Sequence, residues 1–316
     1  MYAYIVRRLL LIVPTIILVT FVVFFLIRLI PGNVVDLLAA RNIGAEDVDV
    51  EKLRNMLGLD VPIHLQYVRW VGNLLQGDLG SSLWTRRPLV EEIKARLPVS
   101  IELGILAIVI GQLVAIPVGV LSAVRQDTGA DYIGRSAAIL FMCVPSFWLA
   151  TLVMVFPSIW WQWTPPLEFV ALTQDPLGNL KGIIIPALIM GLAASGTSMR
   201  MVRTMMLETL KQDYIRTAWA KGLKERTVVA RHAMKNALMP VITMIGMNIP
   251  VLISGTVIIE QIFNLPGMGR LLVDALTKRD YPIISGANLF VAGFVLLCNL
   301  SVDITYGYLD PRIHYR

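Results

Sequence analysis

The sequence predicts an all-α membrane protein of six transmembrane helices. Both termini are expected on the cytoplasmic side, with a long extracytoplasmic segment after the first helix. Three observations carry this reading. Of 316 residues, 56% are hydrophobic and only 16% charged, where a soluble chain carries about a quarter charged. The deficit is concentrated in six uncharged runs, Leu9–Ile27, Leu103–Val124, Ser136–Leu167, Gly182–Met199, Ala237–Ile259 and Tyr281–Val302. Each approaches or exceeds the roughly 20 residues that cross a bilayer core. Basic residues gather beside alternate ends of these runs, as positive-inside topology requires. Six such runs do not fit a soluble core, and the net charge of +6 reads as membrane topology, not as a nucleic-acid footprint.

Residues 1–30 form the first unit. Arg7 and Arg8 precede the span and hold the N-terminus inside. Leu29-Ile30-Pro31-Gly32 lacks a small-x-small cleavage site, so the run is expected to stay as an anchor. Pro14 is tolerable inside a membrane helix, and Arg28 can snorkel outward. Residues 31–96 are the extracytoplasmic segment, with a helix expected at Asp49–Met56, a turn at Gly58–Pro62 and an amphipathic piece His64–Leu75. A polar turn follows at Gly77–Ser82, and Val90–Leu97 reads as a helix ending before Pro98. Trp70 and Trp84 suit either a membrane interface or a small packed subdomain. His64 has no second ligand near it in sequence, so no metal role is read there.

Residues 97–306 carry the other five spans, and 307–316 are a cytoplasmic tail. Span two covers about 99–124, with Glu102 at its outer, interfacial end. The turn Gly129-Ala-Asp-Tyr-Ile-Gly134-Arg135-Ser136 nearly matches a phosphate-binding loop. Arg replaces the lysine and no strand precedes it, so it reads as a basic cytoplasmic turn. Span three starts near Arg135, contains Pro145 and Pro157, and ends at the Trp160, Trp161, Trp163 cluster expected at the outer interface. The loop Thr164–Leu180 has no Lys or Arg. Span four, about 181–203, contains Pro186 and the small-residue run Gly191–Gly196, which favours close helix packing. Span five, Ala237–Ile259, is interrupted by Pro240 and Pro250. The stretch Glu260–Asp280 is expected as an external loop, with a turn at Pro266–Gly269. Span six runs 281–304, and Arg312 and Arg316 keep the C-terminus inside. Cys143 and Cys298 both fall in spans and read as small packing residues.

The sequence contains no Walker lysine, HExxH, GxSxG or Cys/His ligand set. No catalytic residue and no metal site is assigned. Asp303, near the inner end of span six, is the ionisable candidate, read as a buried ion pair with Arg200, Arg203 or Arg312. The chain therefore looks like a conduit without its own energy source.

The exception to the apolar texture is Lys211–Pro240. From Arg200 to Lys235 there are nine Lys and Arg and three Asp and Glu. Asp213 is expected to cap a short helix that ends near Gly222. Such a helix is about two turns long and marginal alone, so a partner is expected to dock on it. Tyr214, Thr217, Ala218 and Lys221 lie at i, i+3, i+4 and i+7, on one face.

Tyr214-Ile215-Arg216-Thr217-Ala218-Trp219-Ala220-Lys221-Gly222-Leu223, with Arg231-His232-Ala233 and Asn236-Ala237-Leu238-Met239-Pro240, resembles the EAA loop of binding-protein-dependent ABC importer permeases. The resemblance is closest to the dipeptide/oligopeptide/nickel branch, first permease subunit, where Arg216-Thr217-Ala218 replaces EAA. Arg7-Arg8-Leu9, Ile30-Pro31-Gly32, Gly77–Ser82, Pro266–Gly269, Arg279-Asp280-Tyr281-Pro282 and Asp310-Pro311-Arg312 extend the resemblance over nearly the whole chain. Trp219 departs from it, standing where relatives often carry Arg or another polar residue.

The resemblance implies a type I importer permease fold in a bacterial or archaeal plasma (inner) membrane. It implies a heterodimer with a second, homologous permease, two cytoplasmic ABC ATPase subunits that bind ATP and Mg, and an extracytoplasmic solute-binding protein. This chain itself would hold no cofactor. Asp213, Tyr214, Ile215, Arg216, Thr217, Ala218, Lys221 and Gly222 would form the ATPase-coupling element. Ser146, Trp148, Met190, Ser195, Met247 and Asn248 are candidates for the substrate pathway. The cargo read from the branch is di- or oligopeptides, with nickel chelates, glutathione and oligosaccharides as alternatives. A different class, an ion-coupled secondary transporter, predicts internal repeats and membrane-buried charges. A third is an assembly factor without transport.

Overall fold

The computed structural model describes residues 2–29, 61–166 and 168–309. The helix expected at Asp49–Met56, most of the Gly58–Pro62 turn, the Ile30-Pro31-Gly32 motif, Asp310-Pro311-Arg312 and Arg316 lie outside them. The described residues are helical apart from turns and an isolated bridge between Ser81 and Pro88. In order the helices are α1 (Tyr2–Arg28), α2 (Ile63–Leu75), α3 (Leu89–Val124), α4 (Gly129–Cys143), α5 (Ser146–Trp161), α6 (Pro176–Leu210), α7 (Asp213–Ala220), α8 (Glu225–Thr227), the π-helical turn π1 (Val228–Ala233), α9 (Met234–Ala237), α10 (Met239–Gly255), α11 (Val257–Ile262), α12 (Met268–Lys278) and α13 (Tyr281–Leu309).

Four helices are long and apolar enough to cross a membrane, judged by length and composition: α1 (over Leu10–Arg28), α3, α6 and α13 (over Tyr281–Ser301). A fifth span results if α4 and α5 are counted together. That pair is bent by 87° at Val144–Pro145, where the expectation was one continuous span. A proline ring removes an N–H and clashes with the preceding turn, and Pro145 here starts a new helix. The fifth expected run, Ala237–Ile259, is divided among α9, α10 and α11. Pro240 sits in the first turn of α10, where its missing N–H costs nothing, and Thr256 separates α10 from α11.

Elsewhere the helices are longer than expected. α3 continues through Pro98, where an end was expected; one lost backbone bond is tolerable when the turns on both sides are intact. α6 starts at Pro176 because Asp175 caps it, its carboxylate accepting from the Leu177 N–H at 3.0 Å. The expected external loop Glu260–Asp280 contains two further helices, the end of α11 and the amphipathic α12.

The chain divides into two compact units, one of residues Met1–Leu97 and Arg270–Arg316, the other of Pro98–Gly269. In the first, α1 packs on α13 and α2. Trp70 and Tyr67 on α2 close over Phe24, with ring centroids 5.4 and 5.2 Å from it. Tyr67 also bonds Thr20 at 3.0 Å. Arg28 does not reach outward. Its guanidinium lies 3.4 Å from the Phe24 ring centroid and donates to Gln66 at 3.1 Å. The Trp84 indole donates to the Lys278 carbonyl at 2.9 Å, so both tryptophans are anchors of a packed subdomain.

The Gly77–Ser82 turn is locked to the start of α13. The Ser82 hydroxyl donates to Asp280 Oδ2 at 2.5 Å, and the Leu83 N–H donates to Oδ1 at 3.2 Å. Asp280 is buried. That burial pushes its carboxyl above the ordinary carboxylate range, against the opposing effect of the Ser82 hydroxyl and the Leu83 and Ile283 N–H groups.

In the second unit α3 crosses α6 closely. A Cβ on Gly191 would meet the Ala107 carbonyl at 2.8 Å, and one on Gly111 would meet the Gly191 carbonyl at 2.9 Å. The apolar layer around this crossing contains Leu103, Ala107, Ile183, Ala187, Met190, Ile259 and Phe263. Glu260, expected on an exposed loop, is fully buried. It accepts from the hydroxyls of Ser100 at 2.6 Å and Thr256 at 2.7 Å, and Ser100 in turn accepts the Met268 N–H at 2.8 Å. Glu102 is half-buried and accepts from Asn179 at 3.3 Å.

Two outcomes are expected. Gly191→Leu forces α3 and α6 apart and destabilises the permease by about 1–3 kcal/mol, measured as a lowered Tm in detergent. A raised Asp280 pKa means that the folded chain holds that proton more tightly than the unfolded chain. Stability therefore falls as pH rises from about 4, the ordinary carboxylate value, through the raised one. Asp280→Asn flattens this dependence in thermal melts taken across that range.

Candidate functional site

The polar segment after α6 folds back onto the helix that precedes it. Its two-turn helix, α7, begins one residue earlier in the capping sense than expected. Gln212 is the N-cap, with ψ 150°, and Asp213 is the first helical residue. Asp213 makes no capping bond; its exposed carboxylate pairs with Arg216 at 3.4 Å. An acidic group in the first turn still complements the helix dipole. The C-terminus closes at Gly222, with φ +74°. The Gly222 N–H donates to the Trp219 carbonyl and the Leu223 N–H to the Ala218 carbonyl, at 2.9 and 3.4 Å. This is a Schellman stop, and it needs a residue at ease in the left-handed region.

Ile215 and Ala218, at i and i+3, are the buried side of α7. They enter a core formed by Val202 and Met206 of α6, Ala123 of α3, Val228 and Ala233 of π1, Ala237 of α9 and Val241 of α10. The face proposed from sequence is therefore split. Ala218 belongs to the core, while Tyr214, Thr217 and Lys221 are exposed together with Asp213, Arg216, Trp219 and Ala220. Tyr214 is anchored by the Asn236 amide, which donates to its hydroxyl at 2.8 Å, and the Thr217 hydroxyl turns back to the Asp213 carbonyl at 3.0 Å. The outer face thus combines two aromatic rings with charges of both signs, on a helix held from below by two apolar side chains.

A π turn, Val228–Ala233, follows. Such turns insert one extra residue per turn and are frequent at functional sites. Here it puts Val228 and Ala233 into the same core as Ile215. No residue pattern in this basic stretch announced it.

The sequence reading also passed over a buried ion pair close to this core. Asp131, within the turn that resembled a phosphate loop, is wholly buried. Arg203 on α6 donates to it through Nε at 2.8 Å and Nη2 at 2.7 Å. The Ser122 hydroxyl on α3 adds a bond at 2.8 Å, and the Asp127 N–H adds one at 3.1 Å. Asp127 itself holds φ at 59°, a conformation that Asp tolerates better than most residues. Arg203 keeps 20% of its side chain exposed, so removing one partner costs less than the about 3–5 kcal/mol of a fully buried pair. Arg203, a candidate partner for Asp303, is thus engaged by Asp131, and Arg200 reaches the Met142 sulfur at 3.8 Å. The side chain of Asp303 lies outside the described set.

The six pathway candidates do not share one environment. Met190 and Ser195 are buried, Met190 in the α3–α6 layer and Ser195 with its hydroxyl on the Leu192 carbonyl at 2.7 Å. Trp148, Met247 and Asn248 are exposed, and Ser146 at the start of α5 is half-exposed.

The split of α7 into two faces is measurable. Ile215→Ala removes a buried side chain and is expected to destabilise the fold by about 2–5 kcal/mol. Arg216→Ala on the exposed face is expected to stay within about 0.5 kcal/mol. Thermal melts of the two purified variants compare them directly.

Comparisons with known proteins agree with this architecture. Residues 115–315 match the family described as binding-protein-dependent transport system inner membrane component, and residues 1–104 match its N-terminal membrane component. The chain is 42% identical over 315 residues to a putative peptide transport system permease protein of Brucella suis biovar 1, covering 100% of both chains. It is 36% identical over 339 residues to the dipeptide transport system permease protein DppB of Escherichia coli K12, again covering 100% of both. It is 37% identical over 318 residues to the oligopeptide transport system permease protein AppB of Bacillus subtilis, with the same full coverage. Among solved structures, an amino acid ABC transporter crystallised with histidines matches with a TM-score of 0.56 at 11% identity, over 70% of this chain and 95% of that one; at that identity the likeness concerns the fold. The helical architecture, the two family matches and the full-length relatives lead to one conclusion: the chain belongs to the family of binding-protein-dependent transport system inner membrane components.

Proposed function

We propose that the chain is one of two permease subunits of an ATP-driven ABC importer and forms half of the translocation pathway for di- or oligopeptides. A solute-binding protein delivers the cargo from outside. A second, homologous permease completes the pathway. Two cytoplasmic ATPase subunits bind ATP with Mg and supply the energy, and the chain itself catalyses nothing. It crosses the inner membrane six times, with both termini inside, the divided run of α9, α10 and α11 counting as the fifth crossing and the bent pair α4–α5 as the third.

The observation that carries this reading is the build of α7. It is a capped two-turn helix with one face sunk in the core against α6 and the other presenting Tyr214, Arg216, Thr217, Trp219 and Lys221 outward. A helix seated in this way moves with its core when its outer face is pushed. ATP-driven closure of the ATPase subunits displaces α7, and α6 carries the displacement into the spans, which exchange inward for outward access. The peptide cargo rests on the relatives, two of which are named for dipeptide and oligopeptide transport.

The test is a reconstituted importer with labelled dipeptide. Gly222→Pro removes the left-handed stop of α7, since proline cannot adopt φ +74°. Arg216→Glu reverses charge on the outer face. Both variants are expected to lower peptide uptake per ATP hydrolysed at least tenfold, about 1.4 kcal/mol of coupling or more, while the spans still assemble. Uptake at the unsubstituted level in both variants overturns the lever. Uptake of nickel chelate, glutathione or oligosaccharide in place of peptide overturns the cargo.

A further inference from the structure

We propose that Asp131 is a positioning residue of the transport machine: with Arg203 and Ser122 it latches the cytoplasmic ends of α3, α4 and α6 into one rigid transmission body driven by α7. The inference rests on the coupling role of α7 proposed above and extends it to residues that no feature of the coupling loop contains.

The geometry is specific to a latch. Asp131 receives both forks of the Arg203 guanidinium from α6, the Ser122 hydroxyl from α3 and the Asp127 N–H from the α3–α4 turn. One carboxylate therefore ties three helices and the connection between two of them. Gly134, one turn further along α4, lets Ser122 approach; a Cβ there would lie 2.7 Å from the Ser122 hydroxyl. Arg203 is flanked on α6 by Val202, and Met206 follows one turn later. These two side chains form the core that holds Ile215 and Ala218 of α7. A push on α7 thus arrives at α6 within one turn of the guanidinium that grips α4.

Loose helices would absorb such a push by sliding, because small shear motions of packed helices are cheap. A bidentate pair resists sliding, because any displacement beyond hydrogen-bond reach leaves the buried Asp131 carboxylate without its partner. Ala138 on α4 and Met199 on α6 add an apolar contact on the same side. α4 then ends at Cys143, immediately before the 87° break to α5. The latched body therefore stops where the chain changes direction, and relative motion is left to elements beyond that break.

Two measurements test the latch. In the assembled importer, with Cys143 and Cys298 replaced by serine, spin labels are placed at Ile133 on α4 and Thr204 on α6, both exposed. The inter-label distance is expected to change by less than about 2 Å, the scale of helix shear, between nucleotide-free and ATP-bound states. A change near 5 Å, about one helical turn, overturns the latch. In parallel, Asp131→Ala is expected to lower peptide uptake per ATP at least tenfold in complexes that still co-purify with the ATPase subunits. An unchanged ratio overturns the proposal. Should that variant not assemble, the distance measurement on the unsubstituted latch still decides. Failure of the α7 reading looks different, because Arg216→Glu then transports normally. Failure of the latch alone leaves Arg216→Glu impaired and Asp131→Ala coupled.

Discussion

A backbone amide in hydrocarbon has no water to bond to, and this constraint shapes the chain more than any single contact. Each unsatisfied polar group there costs several kcal/mol. The long runs therefore have one solution, the helix, and α1, α3, α6 and α13 adopt it at lengths that their apolar composition requires. Even Pro98 and Pro117 do not stop α3, because ending the ladder there costs more than losing one bond. Where the helical ladder does change, at Val144–Pro145, at Thr256 and at the π turn Val228–Ala233, something must offset the loss. At the π turn the compensation is visible: Val228 and Ala233 fill the core beneath α7. That departure from the α-helix thus serves the packing of α7 on its core.

Sequence reasoning reached those features that are local or periodic. Apolar run length located the four long apolar helices α1, α3, α6 and α13, Gly222 located the stop of α7, and the spacing of Tyr214, Thr217 and Lys221 identified its exposed side. It misjudged Ala218 because a small residue gives no periodic signal of its own. Burial there is set by Ile215 three residues earlier and by Val202 and Met206 on another helix. It likewise placed Glu260 on a loop, since one charge after an apolar run ordinarily marks a boundary. One of the hydroxyls that Glu260 accepts from belongs to Ser100, 160 residues away in the chain. Trp70 and Trp84 were left open between lipid interface and packed subdomain, and Phe24 and the Lys278 carbonyl resolve them toward packing. Long-range polar partners carry no signature in a single sequence, because either partner alone looks like an ordinary surface residue.

The buried carboxylates share a logic. Asp280 takes Ser82, Glu260 takes Ser100 and Thr256, and Asp131 takes Ser122 with Arg203. Each lies at or near a helix terminus, and each is reached by a hydroxyl from a different segment. A serine donor is short and has few rotamers, so it holds its acceptor at a defined distance with little entropy cost. These joints fix how helix ends meet while the apolar middles of the helices remain interchangeable in composition. Lipid offers no hydrophobic drive between apolar helices, so in such a chain orientation has to come from close small-residue packing and from polar joints. Gly111 and Gly191 supply the first at mid-helix, and the carboxylate–serine pairs supply the second at the ends.

Among these joints Asp131 takes a bidentate cation partner, Arg203, and that feature has a mechanical meaning. A hydroxyl–carboxylate bond contributes modestly and re-forms after small displacements. A forked guanidinium–carboxylate pair adds directionality, because both N–H groups must stay in plane with both oxygens. Rotation of α6 relative to α4 takes the two N–H groups of Arg203 out of line with the Asp131 oxygens. This joint is therefore the orientation-sensitive one, and it stands next to the core that seats α7. A subunit that only had to hold a pore open would have no need for angular stiffness at that point. In the lever proposed above, a push on α7 becomes a tilt of the spans, and Arg203, between Val202 and Met206 of the core that seats α7, stands where that conversion is shortest.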